Sequence, residues 1–314
     1  MKHYNFGVEI ETVGKPYGGG ESFTNVDWYR QLAQKLRNRG IDAVHDECSR
    51  YSKHPEYYGG KWLTGSFLKV CMEVVSPRLD TKLHVSRILS DFWEGMSVHF
   101  NPQRDASCGG HVHVTPVRRG NKFKLSSLKK IAFAAIVYED FVSSIQAPCR
   151  RDNKFCKPNS QSGDSGLCDT LSRGSLWGVQ KSTASLTHVA HEIKRLPCEA
   201  DLYLYMQGDR YVLWNFQNIV PHPKTGRCTG TVEFRGGNQF LSTKGTLAWV
   251  GFVLGFITLA LKENLLKRFA RYISPLDADF TAALETWWRR IRKAAKKSRM
   301  ARHIPDDYRK MASR

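Results

Sequence analysis

Apolar and polar residues alternate along several short segments of the chain, and this alternation predicts β-strands. The segments "NFGVEIETV", "GGHVHVT" and "TVEFRGG" place valine, isoleucine or phenylalanine at every second position. Because successive side chains of a strand point to opposite faces, each strand would have one apolar and one polar face. Further strands are predicted in "IDAVH", "FLKVCMEVVSP", "SVHFN" and "RYVLWNF".

Apolar residues recur at helical spacing in the segments between these strands. A helix that starts with the capping-box sequence at Thr24 and ends at Gly40 is predicted first. The other helices are predicted at 80–96, at 125–145, from about 243, and from Ser274 and Pro275 onward. Strands with alternating patterns, joined by helices and irregular loops, indicate an α+β fold with a largely antiparallel sheet.

The most apolar segment runs from Gly245 to Leu261. It is a little shorter than the roughly twenty residues that a membrane span needs. It also contains glycines and continues into an amphipathic sequence, so we expect a buried core helix and no membrane span. A membrane span is the alternative.

A polar segment from Ala147 to Arg173 is rich in Ser, Asn, Asp, Cys and Gly, and its length suggests a lid. The eight cysteines are scattered and the N-terminus has no secretory signal, which favours reduced thiols and a cytoplasmic protein. Cys149, Cys156 and Cys168, with His188 or His191, could bind zinc. Their spacing matches no common zinc pattern, so unligated thiols are favoured.

A formal charge of +19 and a pI near 9.7 favour contacts with nucleic acid, phosphate-rich ligands or acidic polymers. The segment from Trp287 to Arg302 contains eight basic residues and no acidic one. It could be a docking patch for such a partner. It could equally be the solvated face of a helix whose buried stripe is Phe280, Leu284, Trp287 and Ile291.

Charged residues occupy alternate positions of the apolar strands. Glu9 and Glu11, His111 and His113, and Glu233 and Arg235 form three such pairs, and Glu73 interrupts an apolar run. In any one strand this pattern is typical of a solvated face. If the four polar faces converged, however, the crowded carboxylates would need cations.

The residue types indicate which cation and which chemistry such a site would suit. Carboxylates with one imidazole suit Mg²⁺ or Mn²⁺ better than structural zinc. Arg235 and His113 would then meet phosphate or developing negative charge. A divalent cation beside an arginine is typical of phosphoryl transfer from ATP.

Five segments in this order resemble the amidoligase family, which is related to carboxylate–amine ligases with a glutamine synthetase-like catalytic fold. They are "GVEIET", "MEVVSP", "SCGGHVHVT", "RYVLWNF" and "TVEFRGG", and the resemblance spans about Asn5 to Gln239. "CRRDNKFCKP", Cys149 to Pro158, resembles a substrate or nucleotide loop of that family. The chain departs from the family pattern after Arg235, where "GGNQF" replaces a bulkier apolar segment.

The resemblance implies a curved, largely antiparallel sheet with helices on its outer side, and it assigns roles to particular residues. Glu9, Glu233 and Arg235 would be catalytic. His113 would lie near the phosphates of ATP, and Arg235 would bind the transferring phosphoryl group. Arg210 and Asn215 would hold phosphate or substrate. The implied ligands of two or three Mg²⁺ or Mn²⁺ ions are Glu9, Glu11, Glu73, His111 and Glu233.

These expectations define a domain plan and a function. Residues 1–272 would form the catalytic domain, with 147–173 as its lid, and 273–314 a basic helical extension. The catalytic domain would join a carboxylate and an amine, on small molecules or peptides, through an acyl phosphate. The alternatives are a metal-dependent nuclease or phosphohydrolase, and a non-catalytic nucleic-acid-binding protein with solvated strand carboxylates.

Overall fold

The computed structural model describes residues 3–16, 25–45, 62–66, 71–81, 84–117, 121–151, 153–173, 179–223 and 225–313. Its strands are β1 (Tyr4–Pro16), β2 (Ala43–His45), β3 (Trp62–Ser66), β4 (Cys71–Val75), β5 (Leu79–Asp80), β6 (Phe100–Gln103), β7 (Gly109–Pro116), β8 (Trp214–Asn215) and β9 (Val232–Asn238). Its helices are α1 (Asn25–Asn38), α2 (Val85–His99), α3 (Leu125–Val137), α4 (Glu139–Ile145), α5 (Pro148–Arg151), α6 (Gly166–Ser172), α7 (Thr183–Arg195), α8 (Glu199–Met206), α9 (Thr243–Glu263), α10 (Leu265–Arg268) and α11 (Phe280–Ala295).

The described strands form one sheet in the order β2-β3-β4-β1-β7-β9-β8, and β5 and β6 also pair with β1. Only β2 and β3 pair in parallel among them. The prediction of an α+β fold with a largely antiparallel sheet is therefore confirmed. The long strand β1 lies at the centre, between β4 and β7, so residues from several strands can meet above it.

The apolar face of the sheet forms the core with helix α9. Val8, Val112 and Phe234 are fully buried on this face, and the Phe234 ring stacks on Trp249 of α9 with ring centroids 5.7 Å apart. Helix α9 begins where the Ser242 hydroxyl accepts a hydrogen bond from Gly245 N, and it ends at Asn264 in the left-handed conformation.

Helix α9 matches the predicted core helix. By length and composition it could cross a membrane, but 89% of its most apolar window is buried inside the protein. Such burial is typical of a core helix.

The basic helix α11 packs on the far side of α9. The rings of Trp287 and Trp288 lie 6.0 and 6.1 Å from that of Phe252 on α9, and both tryptophans are buried. The predicted stripe is therefore present: Leu284, Trp287 and Ile291 are buried, and Phe280 is partly buried. The helix begins at Phe280, later than the predicted Ser274. The proposed domain limits stay a prediction.

Several other predicted elements differ from the structure. The predicted helix 125–145 divides at Tyr138, where the backbone leaves helical geometry (φ −97°, ψ 10°). The predicted strand 210–216 is reduced to Trp214–Asn215. The preceding residues bond to Lys157 instead: Lys157 N donates to Tyr211 O, and Leu213 N donates to Lys157 O. Asp80 belongs to β5 rather than to a helix.

Other differences concern segments that were expected to be irregular. Strand β3 lies between the predicted strands "IDAVH" and "FLKVCMEVVSP", in a glycine- and tyrosine-rich segment whose sequence predicts a loop. The polar segment 147–173 contains α5, α6 and a 3₁₀ turn at Asn159–Gln161, and its role as a lid stays a prediction. The capping residue Thr24 lies outside the described residues.

Candidate active site

The polar residues of five neighbouring strands lie on one face of the sheet. Directly opposed residues of antiparallel strands point to the same face. Glu9 of β1 is opposite His111 of β7, and Glu11 is opposite Glu73 of β4. On the other side of β7, His113 is opposite Glu233 of β9, which is opposite Asn215 of β8. We call this surface the charged face.

Short hydrogen bonds join most of these side chains. His111 Nδ1 donates to Glu9 Oε2, and His113 Nε2 donates to Glu9 Oε1, both at 2.8 Å. Arg235 Nη1 donates to Glu233 Oε1 at 2.6 Å, and Asn215 Nδ2 donates to Glu233 Oε2 at 2.7 Å. Two carboxylates thus hold two histidines, an arginine and an amide in fixed positions.

The charged face is largely buried. His111 and Glu233 are 2% exposed, Arg235 8% and Glu73 9%. The alternative that these strand residues are solvated is therefore wrong for these four. Because buried charges are costly unless paired, the pairing of the carboxylates decides what the site can bind.

The pKa values of the site show how strongly the charges interact. Burial would raise the pKa of Glu9, but the charge of His113 and hydrogen bonds from both histidines hold it well below its usual range. Burial would lower the pKa of His113, but the carboxylates of Glu233 and Glu9 raise it to about 9. Burial would also raise the pKa of Glu233, but the charges of Arg235 and His113 lower it below its usual value.

One group on the charged face has the geometry of a cation site. One ligand atom each of Glu9, His113 and Glu233 lies within 4.8 Å of the others. Two carboxylates and an imidazole are donors that Mn²⁺ or Mg²⁺ accepts, so the residues fit the expected cations. It is His113, expected near phosphate, that joins this group.

The other expected ligands lie around this group. His111 Nε2 is 3.6 Å from Glu11 Oε1, and Glu11 Oε2 accepts a hydrogen bond from Gly109 N at 2.6 Å. Glu73 of β4 lies directly opposite Glu11 of β1. The individual ligand roles of His111, Glu11 and Glu73 stay predictions.

Arg210 lies at the rim of the site rather than among the carboxylates. It is exposed, and its guanidinium lies 5.2 Å from the centroid of the Tyr211 ring. The guanidinium of Arg235 lies 5.8 Å from the same ring. Phe155 contacts Tyr211 edge-on at 5.5 Å, and its carbonyl accepts from Arg235 Nε at 3.3 Å. The sequence did not single out these two aromatic residues.

A β-bulge also shapes the site. Val112 is opposite Phe234, but Gly110 is opposite Gly237, so Arg235 and Gly236 together face His111. Such a bulge bends a strand and redirects its side chains. Gly110 has room for the Phe240 ring only because it lacks a Cβ, which would lie 2.3 Å from a ring carbon. The sequence "GGNQF", where the chain departs from the family pattern, thus contributes Gly236 of the bulge and the ring of Phe240.

The cysteine site that the sequence left open is not formed. Cys156 Sγ bonds to Arg150 O, and Cys168 Sγ bonds to Ser160 O. Throughout the described chain, the Glu9 group alone has three ligand atoms close enough to hold a metal.

No protein-family model matches the chain, and no curated protein matches it. One solved structure to which the chain is similar is the complex between the prokaryotic ubiquitin-like protein Pup and its ligase PafA. The sequence identity is 8% and the TM-score is 0.39. The similarity covers 99% of this chain and 63% of the other. Membership of the amidoligase family and a glutamine synthetase-like fold stay predictions.

Proposed function

We propose that this protein is an ATP-dependent carboxylate–amine ligase that requires Mg²⁺ or Mn²⁺. The observation that supports this most directly is the group of Glu9, His113 and Glu233, whose ligand atoms lie within 4.8 Å of one another. Arg235 Nη1 stands 2.6 Å from one of these carboxylates. A cation site beside a fixed guanidinium suits the transfer of a phosphoryl group.

Glu9, His113 and Glu233 would hold a cation, with Glu11, Glu73 and His111 available for a second or third. When bound, the cations would neutralise charge on the phosphates of ATP. His113 must give up its proton before its nitrogen can be a ligand. Asn215 would keep Glu233 in position through its 2.7 Å hydrogen bond.

Arg235 would bind the transferring phosphoryl group, because its guanidinium can bond two oxygens at once. It is held by Glu233 and by Phe155 O, so little reorganisation would be needed during the reaction. Arg210, above Tyr211 at the rim, would bind phosphate or the incoming substrate.

In the first step a substrate carboxylate oxygen attacks the γ-phosphorus of ATP. The bond from that phosphorus to the bridging oxygen breaks, which gives an acyl phosphate and ADP. In the second step an amine attacks the acyl carbon, phosphate leaves, and the nitrogen loses a proton. Water must be excluded from the acyl phosphate, and segment 147–173 is our candidate for the lid. The substrates would be small molecules or peptides.

The test is calorimetric titration of a non-hydrolysable ATP analogue into the protein, with Mg²⁺ and with EDTA. We expect binding that requires Mg²⁺ and that is lost in Glu9→Gln and in Glu233→Gln. Glu94→Gln is the matched control, because Glu94 is an exposed carboxylate on α2 with 61% of its side chain accessible. Thermal unfolding of each variant would separate loss of binding from loss of fold.

Cation-independent binding, or full binding by folded Glu9→Gln, would contradict the site assignment. With binding established, screening pairs of acids and amines for ADP release would identify substrates. ADP release that depends on both members of a pair is expected of a ligase.

A metal-dependent phosphohydrolase acting on nucleic acid is the second candidate. It is favoured by the formal charge of +19 and by the exposed Lys293, Lys296 and Lys297 at the end of α11. It would cleave DNA or RNA with Mn²⁺ and without ATP. The third alternative, a non-catalytic binding protein, assumed solvated strand carboxylates. Glu73 and Glu233 are buried, which contradicts that assumption.

A further inference from the structure

A buried arginine that the proposed chemistry does not use lies against the charged face. Arg150, on the short helix α5, is 1% exposed. Its Nη2 donates to Arg235 O at 2.8 Å, and its Nη1 lies 3.5 Å from Cys108 O. Its Nε has no hydrogen-bond partner among the described residues. Arg150 thus bonds the main chain of Arg235, the residue proposed to bind the phosphoryl group.

The backbone of β7 is adapted to this guanidinium. A Cβ on Gly109 would lie 2.6 Å from Arg150 Nη2, so any larger residue would displace the arginine. By strand alternation Gly109 shares the face of His111 and His113. Its amide donates to Glu11 Oε2 at 2.6 Å. One glycine therefore connects Arg150 with an expected cation ligand.

Packing alone does not explain why a charged residue occupies this buried position. Within the described residues no carboxylate lies within 4 Å of it. A buried guanidinium bonded only to carbonyl oxygens is costly, and an apolar side chain of similar length could fill the same space. The nearby charged face, however, carries the four carboxyl groups Glu9, Glu11, Glu73 and Glu233. A fixed positive charge beside them offsets part of their repulsion.

Arg150 forms its hydrogen bond to Arg235 at a specific place in the sheet. Arg235 and Gly236 form the β-bulge opposite His111, where one strand pair is interrupted. Arg150 supplies a hydrogen bond to Arg235 O at that interruption. Strand pairing alone does not fix the orientation of a bulged residue. A hydrogen bond from a third segment to the bulged residue can fix it.

We infer that Arg150 is a positioning residue, which holds Arg235 at the β-bulge and places a fixed positive charge beside the cation site. This inference rests on the proposed function for the role of Arg235, whereas the positioning itself can be tested without any ligand. Arg150 touches neither substrate nor cation. It acts through the main chain of Arg235 and through the space at Gly109.

The test uses Arg150→Met, which removes the charge and the hydrogen bonds, and Arg150→Lys, which keeps the charge. Arg151→Met is the matched control, because Arg151 is the exposed neighbour on the same helix. The first readout is the NMR signal of the Arg235 Nε–H group, which donates to Phe155 O and is assigned by its loss in Arg235→Lys. The second is affinity for an ATP analogue in the presence of Mn²⁺.

We expect the Arg235 signal to shift or broaden in Arg150→Met and to stay unchanged in Arg151→Met. Affinity for the ATP analogue with Mn²⁺ should fall about 10- to 100-fold in Arg150→Met, as is typical for residues that support a metal site. Arg150→Lys should recover part of the affinity, since the charge remains. If Arg150→Met does not fold, Arg150→Lys gives the same comparison, because its altered bonding must still move the Arg235 signal.

An unchanged Arg235 signal with unchanged affinities in the folded variants would overturn the inference and leave Arg150 with a purely structural role. A changed Arg235 signal in a protein whose wild type binds no nucleotide would support the positioning role and overturn the proposed function. The two failures are thus distinguishable.

Discussion

The two faces of the central strands are both buried, but different forces hold them. On one face Val8, Val112 and Phe234 are fully buried, Phe234 packs on Trp249 of helix α9, and no directed bonds are needed. On the other, hydrogen bonds from histidine, arginine and asparagine hold the buried Glu233 and the partly buried Glu9. Apolar burial stabilises in proportion to area, whereas a buried ion network stabilises only when its charges balance.

This difference indicates on which face the residues could be replaced without loss of function. An apolar face can be repacked with residues of similar volume at small cost. The charged face would be replaceable by apolar residues if stability were all that mattered. Its many carboxylates are therefore better explained by what they bind than by what they stabilise.

The largest expected effect comes from breaking the apolar face. Phe234 is fully buried, with its ring 4.8 Å from that of Trp214 and 5.7 Å from that of Trp249. We expect Phe234→Ala to lower the free energy of unfolding by about 3 to 5 kcal/mol, because it leaves a cavity. Urea denaturation measures this, with Phe234→Leu as a control that should lose less. A loss no larger than that of Phe234→Leu would mean that the face is loosely packed.

A smaller effect should come from titrating the charged face in EDTA. The pKa of His113 is raised to about 9 from 6.5, so the protonated ring stabilises the folded protein. That contribution is complete below pH 6.5 and is lost as the pH rises through 9. The pKa of Glu9 is lowered, so its contribution is present above about 4.5 and is lost as the pH falls. Together they place the most stable range between about pH 4.5 and 6.5.

We expect the loss between pH 6.5 and 9 to be on the order of 2 kcal/mol, measured by urea denaturation at each pH. In His113→Gln this part of the pH dependence should disappear. Mn²⁺ should stabilise the wild type more at pH 8.5 than at pH 6.5, because the ion and the proton compete for His113. Equal stabilisation by Mn²⁺ at both pH values would remove His113 from the ligand set.

The sequence predicted these two faces because alternation is a local property. Val8 and Glu9, or Val112 and His113, fall on opposite faces whatever lies around them. The antiparallel sheet followed for the same reason. The placement of α9 was predictable because its apolar run is long and continuous.

Features that depend on distant segments could not be predicted. Whether His111 or His113 joins Glu9 and Glu233 depends on strand register and on the β-bulge, which alternation does not specify. Arg150 reaches the site from a polar segment, and only its hydrogen bond to Arg235 O and its fit at Gly109 in the folded protein reveal this. The short β8 results from pairing with Lys157, more than fifty residues earlier in the chain.

The smallest effect is expected from a solvent-exposed ion pair, which contrasts with the buried pairs of the charged face. Arg309, near the C-terminus, lies 3.6 Å from Glu285 on α11, and both side chains are more than half exposed. Exposed pairs are screened by solvent and salt, so Arg309→Ala should change the free energy of unfolding by no more than about 0.5 kcal/mol. Urea denaturation at low and high salt would measure it. A loss as large as that from titrating His113 would show that charge pairs stabilise this protein wherever they lie, and the contrast between the faces would then not require a bound cation.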